Sequence, residues 1–202
     1  MAGIMPSLFL LLRAFAMSHD EIIEITRQWL EKAVIGLNLC PFAKSVYVKN
    51  QVRFVVSDAK HLDALLEQLD EELDLLASAD PELIDTTLLI CPTQWPDFEQ
   101  FNDFIEIADR VVEEHELEGV LQIASFHPQF QFADTEPDDI SNYTNRGPFP
   151  ILHLLREASI ERAVAAFPDA SQIYERNIET LQKLGLAGWM ALGFHQPGSK
   201  NG

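Results

Sequence analysis

The chain has 202 residues, 47% of them hydrophobic, with 32 acidic against 14 basic side chains and a net charge of -18. That length suits one domain with a substantial core, and the charge argues against nucleic acid or an anionic membrane as a partner, since both need clustered Lys and Arg. Only Cys40 and Cys91 carry thiols, too few for a disulfide scaffold, so a reducing cytoplasm is the default location.

Residues 1–17 read as an N-terminal extension, disordered or a misassigned start ahead of Met17. A targeting peptide and a true helix are the other readings of the apolar stretch Ser7 to Leu12. It lacks a basic region before it and is far too short to span a membrane. Residues 18–194 read as a single domain and 195–202 as a frayed tail. Ser18 to Glu21 is a capping box, S-x-x-E, that opens a helix. Ile22, Ile25, Trp29, Ala33 and Leu37 keep helical spacing to about Asn38, before Pro41. Val52 to Val56 reads as a strand, paired as a hairpin with Val46 to Val48 through a turn at Lys49-Asn50. Leu62, Leu65, Leu66, Leu69, Leu73 and Leu76 line one face of a second helix. Thr86 to Ile90 is a buried strand that ends at Cys91-Pro92. Phe98, Phe101, Ile105, Ala108 and Val112 mark a third helix, and this Phe stripe is core. Gly119 to Phe126 is a third strand, which Phe130 and Phe132 continue after Pro128. Pro148 and Pro150 suit a helix start, so Ile151 to Phe167 reads as the fourth helix. A fifth runs from Pro168-Asp169 to near Gly185, followed by an apolar segment, Leu186 to Phe194.

Strands alternating with helices favour parallel pairing and right-handed crossovers. The expected fold is therefore α/β: a small, mostly parallel sheet of three main strands, with an added hairpin strand, layered with about five helices. Ligands of open α/β sheets favour the edge formed by the C-terminal strand ends. Here that edge carries Ser57-Asp58, Cys91 and His127, and the long polar segment Gln131 to Asn145 starts from it.

The candidate chemistry lies mostly between Ser125 and Glu157. His127, in F-H-P, titrates near neutrality and suits a base, an acid or a metal ligand, or a half-buried ring bonded to backbone. Asp138-Asp139 can orient a histidine or bind a cation, and are also ordinary turn and cap residues. Asn142 and Asn145 favour turns and caps and are also candidate substrate-binding residues, and Arg146 before Gly147 offers a planar fork for an anion. His153, Arg156 and Glu157 would share a helix face. With Arg156, Arg146 would clamp an anionic substrate, and His153 would be a second catalytic group. A divalent metal, the one cofactor these residues suggest, would take His127, Asp139, His153 and Glu157. Cys40, in C-P-F, is the thiol candidate, without a second cysteine at C-x-x-C spacing. The sequence lacks G-x-x-x-x-G-K, G-x-G-x-x-G, H-E-x-x-H and G-x-S-x-G, so ATP, NAD and the common hydrolase arrangements are not indicated.

G-L-N-L-C-P-F-A at 36–43, A-S-F-H-P-Q-F-Q-F-A at 124–133 and P-D-D-I-S-N-Y-T-N-R-G-P-F-P-I-L-H-L-L-R-E at 137–157 resemble an uncharacterised bacterial family, the domain of unknown function fourteen-fifteen. The resemblance spans roughly Ser18 to Leu184 and implies no activity. Two functions remain open. One is an enzyme that acts on a small anionic metabolite by His/Asp acid–base or metal-assisted hydrolytic chemistry. The other is a non-catalytic binding or structural module whose His/Asp/Arg cluster is an internal hydrogen-bond network.

Overall fold

A computed structural model describes residues 17–165 and 172–194. The expectations for residues 1–16, Pro168-Asp169 and the tail after Phe194 lie outside them. The described elements run in the order α1 (His19–Trp29), a π-helical continuation (Leu30–Ile35), α2 (Ala43–Val48), β1 (Val52–Val56), α3 (Leu62–Ser78), β2 (Thr86–Ile90), α4 (Phe98–Glu114), β3 (Leu121–Phe126), a 3-10 turn (Ile140–Thr144), β4 (Ile151–Arg156), α5 (Glu157–Ala165) and α6 (Ile173–Ala191).

The capping box is present as read. Ser18 accepts from the Glu21 amide, and the Glu21 carboxylate accepts from the Ser18 amide at 2.8 Å. The helical path closes at Asn38, whose φ is 56°. The next amide, on Leu39, reaches back to the Val34 carbonyl at 2.9 Å, as a left-handed residue past a helix end allows. Val46 to Val48 is helix, not the strand of a hairpin. Asn50 has φ 58°, and the amides of Asn50 and Gln51 return to the carbonyls of Tyr47 and Val46, both at 3.0 Å. This is a helix-terminating turn, so the bend at Lys49-Asn50 stands but what precedes it does not. Phe130 and Phe132 lie in loop rather than in a continued strand.

The larger correction is at Ile151. Pro148 and Pro150 lead into a strand, and helix begins only at Glu157. A short apolar run such as I-L-H-L-L-R has no period that separates a buried strand from a buried helix. Here it lies between two strands and pairs antiparallel with both β2 and β3. The sheet order is β1-β2-β4-β3, with β1 and β2 parallel. The fold is α/β, but the sheet is mixed and four-stranded, and six helices are present among the described residues. Since β4 opposes both neighbours, β1, β2 and β3 still run the same way, and their C-terminal ends share one edge.

Each sheet face carries its own core. On one, Leu89, Leu152, Leu154 and Leu121 pack under the leucines of α3 and the Phe stripe of α4. On the other, Leu88, Ile90 and Ile151 pack under Ile22, Trp29, Ala33 and Val34 of the first helical segment, with Leu181 and Trp189 of α6. α6 passes through a break at Gly185 (φ 64°, ψ 171°), a conformation that favours glycine, and resumes to Ala191. No helix among the described residues is long and apolar enough to cross a membrane.

Candidate functional site

The polar loop after β3 is braced from within. Asn142 is completely buried. Its side-chain oxygen accepts from the Phe132 amide at 3.0 Å and the Thr135 hydroxyl at 2.8 Å, and its NH2 donates to the Glu136 carbonyl at 2.8 Å. Asn145 donates to the Ser125 carbonyl at 3.2 Å. Arg146 donates to the carbonyls of Phe130 and Pro137 at 3.2 and 2.6 Å, and its guanidinium stands 4.2 Å from the Tyr143 ring centre. Its own carbonyl accepts from the Trp29 indole at 3.0 Å, which ties the loop to α1. Asp139 caps the 3-10 turn by accepting from the Ser141 amide at 2.8 Å, a bond that holds its carboxyl below the usual range. Asp138 is exposed beside it.

His127 lies at the expected sheet edge, 2% exposed, between the rings of Phe98 and Phe101. Its Nδ1 accepts from the Gln129 amide at 3.0 Å. Nε2 must then carry the proton and donates to the Trp95 carbonyl at 3.1 Å. Burial pushes the ring down to about 4, so it is neutral at physiological pH. Both nitrogens are occupied by backbone.

His153 is on the other face of the sheet, since its strand neighbours in register are Leu88 and Ala124. His127 faces α4, so the two imidazoles do not meet. The expected helix face of His153, Arg156 and Glu157 does not exist, because the first two are on β4. Arg156 donates to the carbonyls of Ala79 and Ile84 at 2.7 and 3.2 Å, pinning the connection from α3 to β2. Glu157 opens α5. Among the described residues, no three His, Cys, Asp or Glu side chains stand close enough together to hold a metal ion. The expected set His127, Asp139, His153 and Glu157 is therefore not assembled.

A cleft of about 720 Å³ opens over His153. Its floor is formed by Thr86, Leu88, Ala124, Phe126 and Leu155 on the second sheet face. Trp29, Val34, Phe42 and Val46 wall one side, and Ser159, Ile160 and Arg162 of α5 the other. The Thr86 hydroxyl gives its single proton to the Leu154 carbonyl at 2.6 Å. It can therefore only accept at His153 Nε2, 2.7 Å away. That fixes the Nε2–H tautomer and leaves Nδ1 as an acceptor without a protein partner among the described residues. Desolvation lowers this ring also to about 4. Gln51 and Asp85, both buried, line the same cleft.

Over residues 21–191 the chain matches a family model described as "Protein of unknown function (DUF1415)". The chain belongs to this family. No curated protein and no solved structure matches it. In this member of the family, both the braced loop and the cleft fall inside the matched span.

Cys40 also lines the cleft, half-buried, and burial raises its thiol above the ordinary value. Cys91 is sealed in the core and raised much further by the same cause. Sequence reasoning passed over Gln51, Asp85, Thr86 and Ser159. The available signal was D-T-T at 85–87, three polar residues leading into an otherwise apolar strand.

Proposed function

We propose that this protein binds a small molecule in the cleft over His153, with the free Nδ1 of that ring as its central hydrogen-bond acceptor. The observation that carries this reading is the tautomer. Thr86 fixes the proton on Nε2, and the lone pair of Nδ1 is left without a protein partner among the described residues. The volume lies within the range of small-molecule sites, roughly 300–1,000 Å³, and the mix of apolar walls with few polar groups is typical of them. With a pKa of about 4 the ring is a weak base at neutral pH, so its proposed role is acceptor rather than general base. The anion clamp expected from the sequence loses support, because Arg146 and Arg156 donate to loop carbonyls. The internal-network reading is favoured for the loop itself by the three bonds of Asn142, and it is compatible with binding elsewhere.

The test is a fragment screen by NMR on protein with 15N-labelled histidine. Binders are expected to shift the His153 ring nitrogens and leave those of His127 in place. His153→Leu is expected to weaken them at least about tenfold, or roughly 1.4 kcal/mol. A folded His153→Leu variant that binds the same fragments equally well, or a screen that never moves His153, would overturn the proposal.

A further inference from the structure

We propose, resting on the reading of the cleft as a small-molecule site, that its ligand is an organic cation bearing N–H donors, seated with its charge on Asp85 and its N–H groups on Gln51 and His153.

Asp85 is 8% exposed. One carboxylate oxygen accepts from the Ser159 hydroxyl at 2.6 Å. No Lys, Arg or His among the described residues forms an ion pair with it. A buried carboxylate without a counter-charge is costly. Glu72, equally buried, shows the usual remedy: Arg53 donates two bonds to it, both at 2.8 Å. Gln51 is 4% exposed, and its side-chain amide has no protein partner among the described residues. The sealed polar side-chain atoms without a partner there are those of Thr87 and Thr144. The Gln51 amide and the second Asp85 oxygen are therefore not sealed, and the open space these residues line is the cleft.

Gln51 and Asp85 stand side by side just ahead of β1 and β2, and His153 lies further along the sheet, beside Leu88. The Gln51 carbonyl accepts from the amides of Asp85 and Thr86 at 2.9 and 3.3 Å, and Thr86 in turn holds His153. The Gln51 amide nitrogen is itself bonded to Val46, so its backbone is fixed on both sides. Side chains on such pinned strand ends are preorganised for a ligand. What they leave unsatisfied is mostly acceptor: a carboxylate oxygen, an imidazole lone pair and an amide oxygen, against one amide NH2. Because His153 is uncharged, it does not repel a cation. The half-buried ring of Phe126 also lines the cleft, an aromatic surface against which a cation can rest.

The other charges at the cleft are Lys49, Asp80, Glu82 and Arg162, all exposed at the rim. Lys49 faces Glu82 at 3.9 Å, and Arg162 donates to Ser159 at 2.9 Å. Acids and bases thus balance at the rim, Asp85 makes the cleft net negative, and the net charge of -18 draws cations toward the whole molecule.

Two probes with the same ring and opposite charge decide the matter: naphthalene-2-carboxamidine and naphthalene-2-carboxylate. Each is titrated into the full chain by calorimetry and mapped by NMR. The amidinium is expected to bind at least about tenfold tighter, shifting the Gln51 side-chain amide and the His153 ring, and to lose that advantage in Asp85→Asn. If the carboxylate binds the cleft as well or better, the cation inference fails while the cleft reading survives. If neither probe moves a cleft signal, both fail. An amidinium that shifts only signals on the acidic helix surfaces also overturns the inference. Should Asp85→Asn not fold, the comparison of the two probes on the unsubstituted protein decides alone.

Discussion

Lowering the pH is expected to destabilise this protein through its buried imidazoles, and His127 allows the effect to be worked out. Burial lowers its pKa from 6.5 to about 4. In the unfolded chain the ring returns to the ordinary value. Between these limits the unfolded state holds a proton that the folded state does not, so stability falls as the pH drops. The contribution is complete above about pH 6.5 and is lost on the way to about pH 4. Each tenfold difference in proton affinity between the two states corresponds to about 1.4 kcal/mol, which makes the loss roughly 2.5 kcal/mol by about pH 4.5. With the ring 2% exposed, little solvent screening reduces this figure. His153 adds a smaller contribution of the same sign, because one edge of its ring is open to the cleft. The assay is denaturant unfolding of the native chain and His127→Gln across that pH range. Glutamine keeps a donor for the Trp95 carbonyl but cannot ionise. It is expected to cost about 1–2 kcal/mol near neutrality through lost ring packing and the bond from Gln129, and then to give a flatter pH curve, by about 2 kcal/mol at the acid end. Carboxylate protonation is common to both proteins and cancels in the difference. Parallel curves would refute the reasoning.

Asn142→Ala is expected to lower stability by about 2 kcal/mol, since the loop loses a completely buried side chain that bonds the Phe132 amide and the Glu136 carbonyl and shares the Thr135 hydroxyl with the Phe132 carbonyl. A thermal melt checks it, and an unchanged melting temperature would mean that the loop is not braced there. Arg156→Met should cost about 2 kcal/mol and speed hydrogen exchange around Ile84, whose carbonyl it holds; unchanged exchange there would remove the pinning role. A thiol-specific disulfide reagent should modify Cys40 slowly at neutral pH, with a rate still rising above about pH 9, because burial raises its thiol. Cys91 should react only on unfolding, and its labelling in the native state at a rate near that of Cys40 would contradict the packing.

The elements that could be read from sequence are those whose period is long or whose ends are marked. The leucines of α3 and the Phe stripe of α4 repeat over four turns, and Ser18 and Glu21 mark a helix start by chemistry alone. β4 offers neither signal. Its six residues are apolar apart from His153 and Arg156, and its state is decided by β2 and β3, which are distant in sequence. Misplacing it reverses the geometry of the site. Read as a helix, His153 joins Arg156 and Glu157; read as a strand, it turns away from Arg156 and stands over Leu88 and Ala124. The same locality makes the loop stand out in the sequence. His127, Asn142 and Arg146 are close in sequence, and polar residues crowded into a loop are as well suited to satisfying its own backbone as to meeting a ligand. The groups that leave polar atoms open to the cleft are Gln51, Asp85 and His153, single residues on three separate strands or their leading ends. Each is ordinary in its own segment, and only the pairing of the strands brings them to one cleft.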